Sequence, residues 1–244
     1  MFLATAAPVN AFPLQADEAQ TLPALAWEFE AALGSAQLRA PEGRARETAL
    51  ELQLAYGLAT HFTIELNLPV ARNTGADGAR VSGVGDATAS AKWRFYKRGS
   101  VQLAIKAELS LPTGSPAKDL GTGKLGSSVA LLASIGEGGR YELHANLGVA
   151  MPRYEDPEQQ AAARRRLPRA ALGALINLND DWRVAAGLEA VRAEQRVQSR
   201  WERSLAMGAI YDLGQGATLA ARMLFTRSEQ ARSTGAGLAY ARQF

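Results

Sequence analysis

Apolar and polar side chains alternate along this chain in segments of about ten residues, each closed by a turn. From Thr48 to Tyr56, Leu50, Leu52, Leu54 and Tyr56 fall on one face and Glu51, Gln53 and Ala55 on the other. A period of two means a strand, because successive Cβ atoms point to opposite sides of a pleated backbone. Tyr141 to Met151 repeats the pattern, with Tyr141, Leu143, Leu147, Val149 and Met151 set against Glu142, His144, Asn146 and Gly148. Read forward, the alternation predicts strands over 26–36, 46–57, 61–71, 85–97, 100–112, 126–136, 140–152, 167–178, 181–193, 202–213, 216–227 and 234–244. That is about twelve, an even number, as a single-chain barrel needs when both ends lie on one side of a membrane. The connections keep a parity too: short ones at 97–100, 179–181 and 214–216 alternate with long ones at 71–84, 113–125 and 153–166. The expected fold class is all-β, a single transmembrane antiparallel β-barrel of about 12 strands with short periplasmic turns and longer extracellular loops. In such a barrel the apolar face meets lipid and the polar face lines the lumen, the inverse of a soluble sandwich.

Composition removes other classes. The 244 residues contain no run of about 18 consecutive apolar side chains, which a membrane helix requires. A hydrophobic content of 47% suits a porin-like barrel or a soluble β protein. The absence of cysteine excludes disulfide frameworks and cysteine-based metal or redox sites, and is compatible with passage through an oxidising periplasm. A net charge of +3, with Arg164, Arg165 and Arg166 as the one tight basic run, gives no reason to expect nucleic acid as a partner. Two isolated histidines offer no metal-ligand spacing, and no glycine-rich phosphate loop links a strand to a helix, so neither metal nor cofactor is expected.

Aromatic placement gives a second line of argument, since membrane barrels anchor themselves with aromatic girdles. On the predicted strands Trp27, Tyr56, Phe62, Trp93, Phe95, Tyr141, Trp182, Tyr211, Tyr240 and Phe244 all point to the lipid face close to the short turns, while the other rim has only Phe225 and Trp201. The aromatic-rich rim is assigned to the periplasmic interface. At the N-terminus, Phe2 to Val9 is a short apolar stretch and Val9-Asn10-Ala11 a small-residue cleavage pattern without a preceding basic region. The expected organisation is 1–11 as the remnant of a signal peptide, 12–25 as a periplasmic N-terminal segment and 26–244 as the transmembrane barrel, a monomer in a Gram-negative outer membrane.

With the strands placed, several phrases become recognisable. Gly83-Val84-Gly85-Asp86 leading into Ala91-Lys92-Trp93-Arg94-Phe95, Leu111-Pro112-Thr113-Gly114, and Phe12-Pro13-Leu14 with Asp17-Glu18 together resemble the outer-membrane family named for the meta pathway of phenol degradation. The resemblance implies a barrel transporter for small, often aromatic or apolar, compounds. Read from the residues alone, these phrases are architectural: glycines for chain re-entry into the sheet, Pro112 at a strand end and Thr113-Gly114 as a turn.

Function in a barrel resides in the lumen. Strands two to seven direct Glu47, Glu51, Glu65, Asn67, Lys92, Arg94, Lys106, Glu108, Glu142, His144 and Asn146 inward. Opposite charges on neighbouring strands read as a ladder that holds the interior together, or as a constriction with Lys92, Arg94 and Lys106 opposing Glu51, Glu65 and Glu108. The remaining strands offer Ala171, Gly173, Ala185, Gly187, Ala206, Gly208, Thr218, Ala220, Ala239 and Ala241, relieved by Arg183, Glu189 and Arg222, which predicts an open wall and an off-centre passage. An enzyme is not expected, because no serine and histidine pair is readable and neither His61 nor His144 faces lipid. Arg164, Arg165 and Arg166, with Arg153, Arg169, Arg192, Arg196, Arg200 and Arg203 nearby, suggest a rim that contacts lipopolysaccharide phosphates, or a solvated loop neutralised by Glu155, Asp156, Glu158, Glu194 and Glu202. The expected partners are outer-membrane lipid and lipopolysaccharide, the barrel assembly machinery that reads a terminal aromatic such as Phe244, and a small-molecule solute. The expected function is passive passage of small molecules; the alternatives are a plugged structural barrel and a soluble β protein that binds an apolar ligand.

Overall fold

In a computed structural model, residues 14–41, 43–196 and 201–244 are described; the signal-like segment 1–11 lies outside them. The strands are β1 (Trp27–Ala40), β2 (Gly43–Ala59), β3 (Phe62–Thr74), β4 (Arg80–Val84), β5 (Ala87–Arg98), β6 (Val101–Leu111), β7 (Gly126–Ile135), β8 (Tyr141–Met151), β9 (Leu167–Asn177), β10 (Trp182–Arg192), β11 (Trp201–Gly214), β12 (Ala217–Arg227) and β13 (Arg232–Gln243). Neighbours pair antiparallel around the whole sheet, and β1 lies against both β2 and β13, so the sheet closes on itself. Closure leaves no unpaired strand edge in hydrocarbon, where an unsatisfied backbone group costs several kcal/mol, roughly. Strands β4 and β5 form one wall strand broken at Gly85 and Asp86: β3 pairs with β4 through Val70–Thr74 and with β5 through Phe62–Asn67. The barrel therefore has twelve strands, as the alternation predicts.

The strand faces follow the same pattern. Leu33, Leu50, Leu54, Leu66, Leu143, Leu147, Leu172, Leu188 and Leu238 are exposed on the outer wall, while Ala32, Glu51, Ala55, His144 and Ala206 are buried on the inner one. On one rim Trp27 meets Tyr56 at 4.5 Å between ring centroids, Trp182 meets Tyr211 at 4.8 Å and Trp93 meets Phe95 at 5.8 Å. A bulge between Arg94 and Tyr96 leaves both Phe95 and Tyr96 exposed.

The stretch 71–84, expected as a loop, instead extends the sheet: β3 runs to Thr74, turns through Gly75–Ala79 and returns as β4. At the outer tip both faces meet water, so a strand there carries no apolar alternation to read. The long outer connections, 112–125 and 152–166, contain a single turn of 3-10 helix, Pro116–Lys118, and a short helix α1, Pro157–Ala162, and an isolated bridge between Gly123 and Tyr154 joins them. No helix among the described residues is long and apolar enough to span a membrane, and the wall crosses with strands.

The N-terminal stretch departs most from expectation. Residues 14–22 of the segment read as periplasmic run inside the barrel, and the chain leaves past Gly57 to begin β1. Leu14 packs against Leu175, Ala185 and Ile210; Ala19 packs against Ala104 and Leu132. Leu25 donates its N–H to Gly57 O at 2.7 Å, and Gly57 N–H returns to Ala26 O at 2.9 Å. A threaded segment buries apolar contacts and satisfies its backbone on the wall, which a free tail cannot do.

Candidate functional site

The small residues read as open space form the bed of the threaded segment. Gly173 and Gly187 face each other across β9 and β10. A Cβ on Gly173 would lie 2.9 Å from Leu14 Cδ2, one on Gly187 would lie 2.6 Å from Gln15 N, and one on Gly57 would lie 1.9 Å from Pro23 O. A larger side chain would displace backbone at Gly187 and Gly57 and the Leu14 side chain at Gly173, so the predicted open wall is occupied along β9 and β10.

Polar side chains fasten the same segment. Ala19 N–H donates to Ser134 Oγ at 2.8 Å, and Ser134 Oγ lies 2.9 Å from His144 Nδ1. A serine and a histidine thus meet although no such pair is readable in the sequence. The β7–β8 register sets Ser134 opposite His144, a pairing invisible until register is known. Both are buried beneath the segment, so the pair acts as a clamp on it. The Asn146 amide brackets the Asp17 backbone, its oxygen accepting from Asp17 N–H at 2.6 Å and its nitrogen donating to Asp17 O at 3.0 Å. Lys92 Nζ donates to Gln20 O at 3.2 Å, Leu22 N–H to Thr63 Oγ1 at 2.9 Å, and Thr21 Oγ1 to Thr60 O at 2.8 Å.

Charges gather at the middle of the barrel. Lys92 and Lys106 stand directly opposite across β5 and β6, an arrangement that repels unless anions intervene. Glu65 supplies one, with Oε2 2.9 Å from Lys106 and Oε1 3.5 Å from Lys92, while Ser90 Oγ donates to its Oε2 at 2.8 Å. Asp17, from the threaded segment, supplies the other, 3.5 Å from Lys106. Asn67 donates to Glu51 at 3.4 Å, and the buried Arg222 faces the same region, where the charges of Glu30 and Glu51 act on it.

Other expected lumen residues lie apart. Arg94 donates to Gln102 Oε1 and to Thr60 O, both at 2.8 Å, at the turn end of the wall rather than in a ring with Lys92 and Lys106. Glu142 accepts from Asn177 and from Gly138 N–H, each at 3.3 Å, close to the β7–β8 turn. Arg183 stands opposite Asn177 at the same end. Arg169, grouped by sequence with the loop arginines, instead points inward and pairs with Glu189 at 3.0 Å. Its inward parity on β9 was the available signal.

Two of the resembling phrases, Gly83–Asp86 and Leu111–Gly114, meet at the outer mouth, while Phe12 and Pro13 lie outside the described residues. Asp86 accepts from Gly114 N–H at 2.9 Å with one oxygen, and from Thr122 N–H at 2.7 Å and Thr122 Oγ1 at 2.9 Å with the other. Thr113 Oγ1 donates to Gly85 O and accepts from Ala87 N–H, both at 2.8 Å. These bonds fold loop 112–125 inward, burying Leu120 over Gly83. Between this loop and the charge cluster remains a cavity of about 370 Å³, lined by Glu47, Glu51, Glu65, Glu108, Lys106 and Arg169, with Leu120 and Tyr154 toward the outside. The remaining space thus lies against the charged wall, and the small-residue wall carries the segment.

At the rim, Arg164 is held by backbone: its Nε donates to Ala193 O at 3.1 Å and its Nη2 to Arg196 O at 3.2 Å. Arg196 Nε returns to Ala163 O at 3.0 Å. These arginines join two loops, which leaves Arg165 and Arg166 as the exposed pair of the run. Beside them burial, reinforced by Glu202, pushes the Glu194 carboxyl up to about 7.

A family model described as "Putative MetA-pathway of phenol degradation" matches residues 31–243. The chain belongs to this family. Among solved structures, it superimposes on the COG4313 outer membrane channel from Pseudomonas putida F1 with a TM-score of 0.78 at 16% identity, covering 95% of this chain and 100% of that one. The CymD monoaromatic hydrocarbon channel matches with a TM-score of 0.53 at 9% identity, over 93% and 90% of the two chains. The NanC porin matches with a TM-score of 0.57 at 11% identity, over 85% and 98%. At such identities these likenesses concern the fold, an outer-membrane barrel, and family membership agrees with the phrases around Asp86. No curated protein matches the chain.

Proposed function

We propose that this chain is a passive channel for small solutes in the Gram-negative outer membrane, narrowed by its own N-terminal segment. The observation that carries the reading is the cavity of about 370 Å³ between the inward-folded loop 112–125 and the Glu65–Lys106–Asp17 cluster. Its lining holds more carboxylates than cations, with Pro69, Ala71, Leu120 and Tyr154 as apolar surface. Such a lining disfavours anions and accepts hydrogen bonds from neutral or cationic solutes. A small ring bearing a hydroxyl donor fits that chemistry, the family's description names phenol, and the neighbouring monoaromatic hydrocarbon channel supports an aromatic ring without supporting the hydroxyl.

The test is the reversal potential of the purified protein in a planar bilayer under a potassium chloride gradient. The expected result is cation preference, reduced by Glu47→Gln together with Glu108→Gln; anion preference would sink the reading. The second reading is a plugged structural barrel, favoured by residues 14–22 inside the lumen. Absence of both conductance and solute flux from liposomes would favour it.

A further inference from the structure

Five arginines stand side by side on the outer wall at the extracellular end of the strands. Register places Arg203 opposite Arg227, Arg227 opposite Arg232, Arg232 opposite Arg39 and Arg39 opposite Arg44, one from each of β11, β12, β13, β1 and β2. All five are exposed, and each has the parity of an outward apolar residue on its strand: Met207, Met223, Leu238, Leu33 and Leu50. Directly opposed side chains in a sheet have Cβ atoms about 5 Å apart, and like charges there destabilise the pairing. The acids of the lumen are engaged with Lys92, Lys106 and Arg169, away from this row.

Height along the barrel identifies what the row faces. Trp27 to Arg39 spans twelve residue steps of β1. At about 3.3 Å per step and a tilt near 45° that is a rise of about 28 Å. An outer-membrane barrel has an apolar band about 25 Å tall, so guanidiniums one band above the aromatic rim sit among outer-leaflet headgroups. Three of the five, Arg39, Arg227 and Arg232, share with Glu229 a groove of about 300 Å³ between the β1–β2 and β12–β13 tips. Guanidinium forks bind phosphate through paired, charge-assisted hydrogen bonds.

We infer that this row is a docking surface for the phosphorylated headgroup of lipopolysaccharide, running from β11, beside the loop that Arg164 joins, round to β2. The outer connections above most of it, β12–β13 and β1–β2, are short, which leaves the wall open to the lipid. The inference needs only the orientation of the barrel in its membrane and is independent of what the lumen conducts.

The test uses the full chain in detergent, incubated with purified lipopolysaccharide, the bound lipid being quantified after gel filtration. The expected result is retention by the native protein, roughly tenfold weaker in Arg39→Gln/Arg232→Gln and unchanged in Arg165→Gln/Arg166→Gln. Heat-dependent gel mobility verifies that each variant is folded. Should the double variant not fold, the native protein still decides: it should lose the lipid in high salt and fail to retain enzymatically dephosphorylated lipopolysaccharide. Equal binding by the Arg39/Arg232 variant, equal binding of the dephosphorylated lipid, displacement by millimolar inorganic phosphate, or loss confined to the Arg165/Arg166 variant would each overturn the proposal.

Discussion

Gly187 keeps the N-terminal segment in place by lacking a Cβ, since any side chain there would lie 2.6 Å from the Gln15 nitrogen. Gly187→Val is therefore expected to expel residues 14–19 while leaving β9 and β10 paired, and unitary conductance should rise; an unchanged conductance would mean that the segment does not obstruct the path. Lys106 is the converse case, a cation held by Glu65 at 2.9 Å and Asp17 at 3.5 Å. Lys106→Met takes the cation from Asp17 and leaves Glu65 with Lys92 at 3.5 Å; because the cluster retains some contact with water the loss is below that of a dry ion pair, at roughly 2–3 kcal/mol in urea unfolding. Asp17→Asn in the same chain should restore part of it. The charges themselves were legible in sequence, because inward parity is fixed by the alternation. Their partners were not: Lys92 and Lys106 oppose each other only in one register, and their second anion comes from a segment without periodicity.

At the level of elements, loop 112–125 is held inward chiefly by Asp86. Asp86→Ala removes the acceptor for Gly114, Thr122 N–H and Thr122 Oγ1. At about 1 kcal/mol or more for each bond to a charged group, the loop should detach, become open to external protease and widen the mouth. Persisting resistance to cleavage would contradict that role. The contact between segments 162–164 and 193–196 depends on pH through Glu194. Its folded pKa of about 7 lies above the ordinary carboxylate value of 4.5, so the folded loop holds a proton that the detached loop releases. Attachment is firmest below the ordinary value, weakens as pH rises toward 7 and is constant above it. Glu194→Gln should abolish this dependence in hydrogen exchange of Arg164 and Arg196, whose amides cross the contact to Glu194 O and Ala162 O. The twelve wall strands were readable because lipid demands apolar side chains at every second position. The outer extension 71–84 was not, since water on both faces erases the pattern. The Gly173 and Gly187 bed was visible as small residues, but a missing side chain signals open space and close packing alike.

Considered whole, the barrel closes where its ends meet: Phe244 N–H donates to Trp27 O and Trp27 N–H to Phe244 O, both at 2.9 Å. Deleting Phe244 removes the last pair of the β1–β13 seam and the exposed terminal aromatic, and should reduce the membrane-inserted yield severalfold while leaving the conductance of inserted molecules unchanged. Normal insertion would contradict that role. The wall has two sides of different character, one with long loops folded over the mouth and one with short tips and a row of arginines facing lipid. Inside, a segment lies along the small residues and a cavity lies along the charged ones. The most direct measurement is planar-bilayer conductance of the purified chain beside a chain shortened to begin at Leu22. Discrete, cation-preferring steps are expected from the full chain, with larger steps from the shortened one. No steps from either protein, both shown to be folded by heat-dependent mobility, would contradict a passive pathway through the lumen.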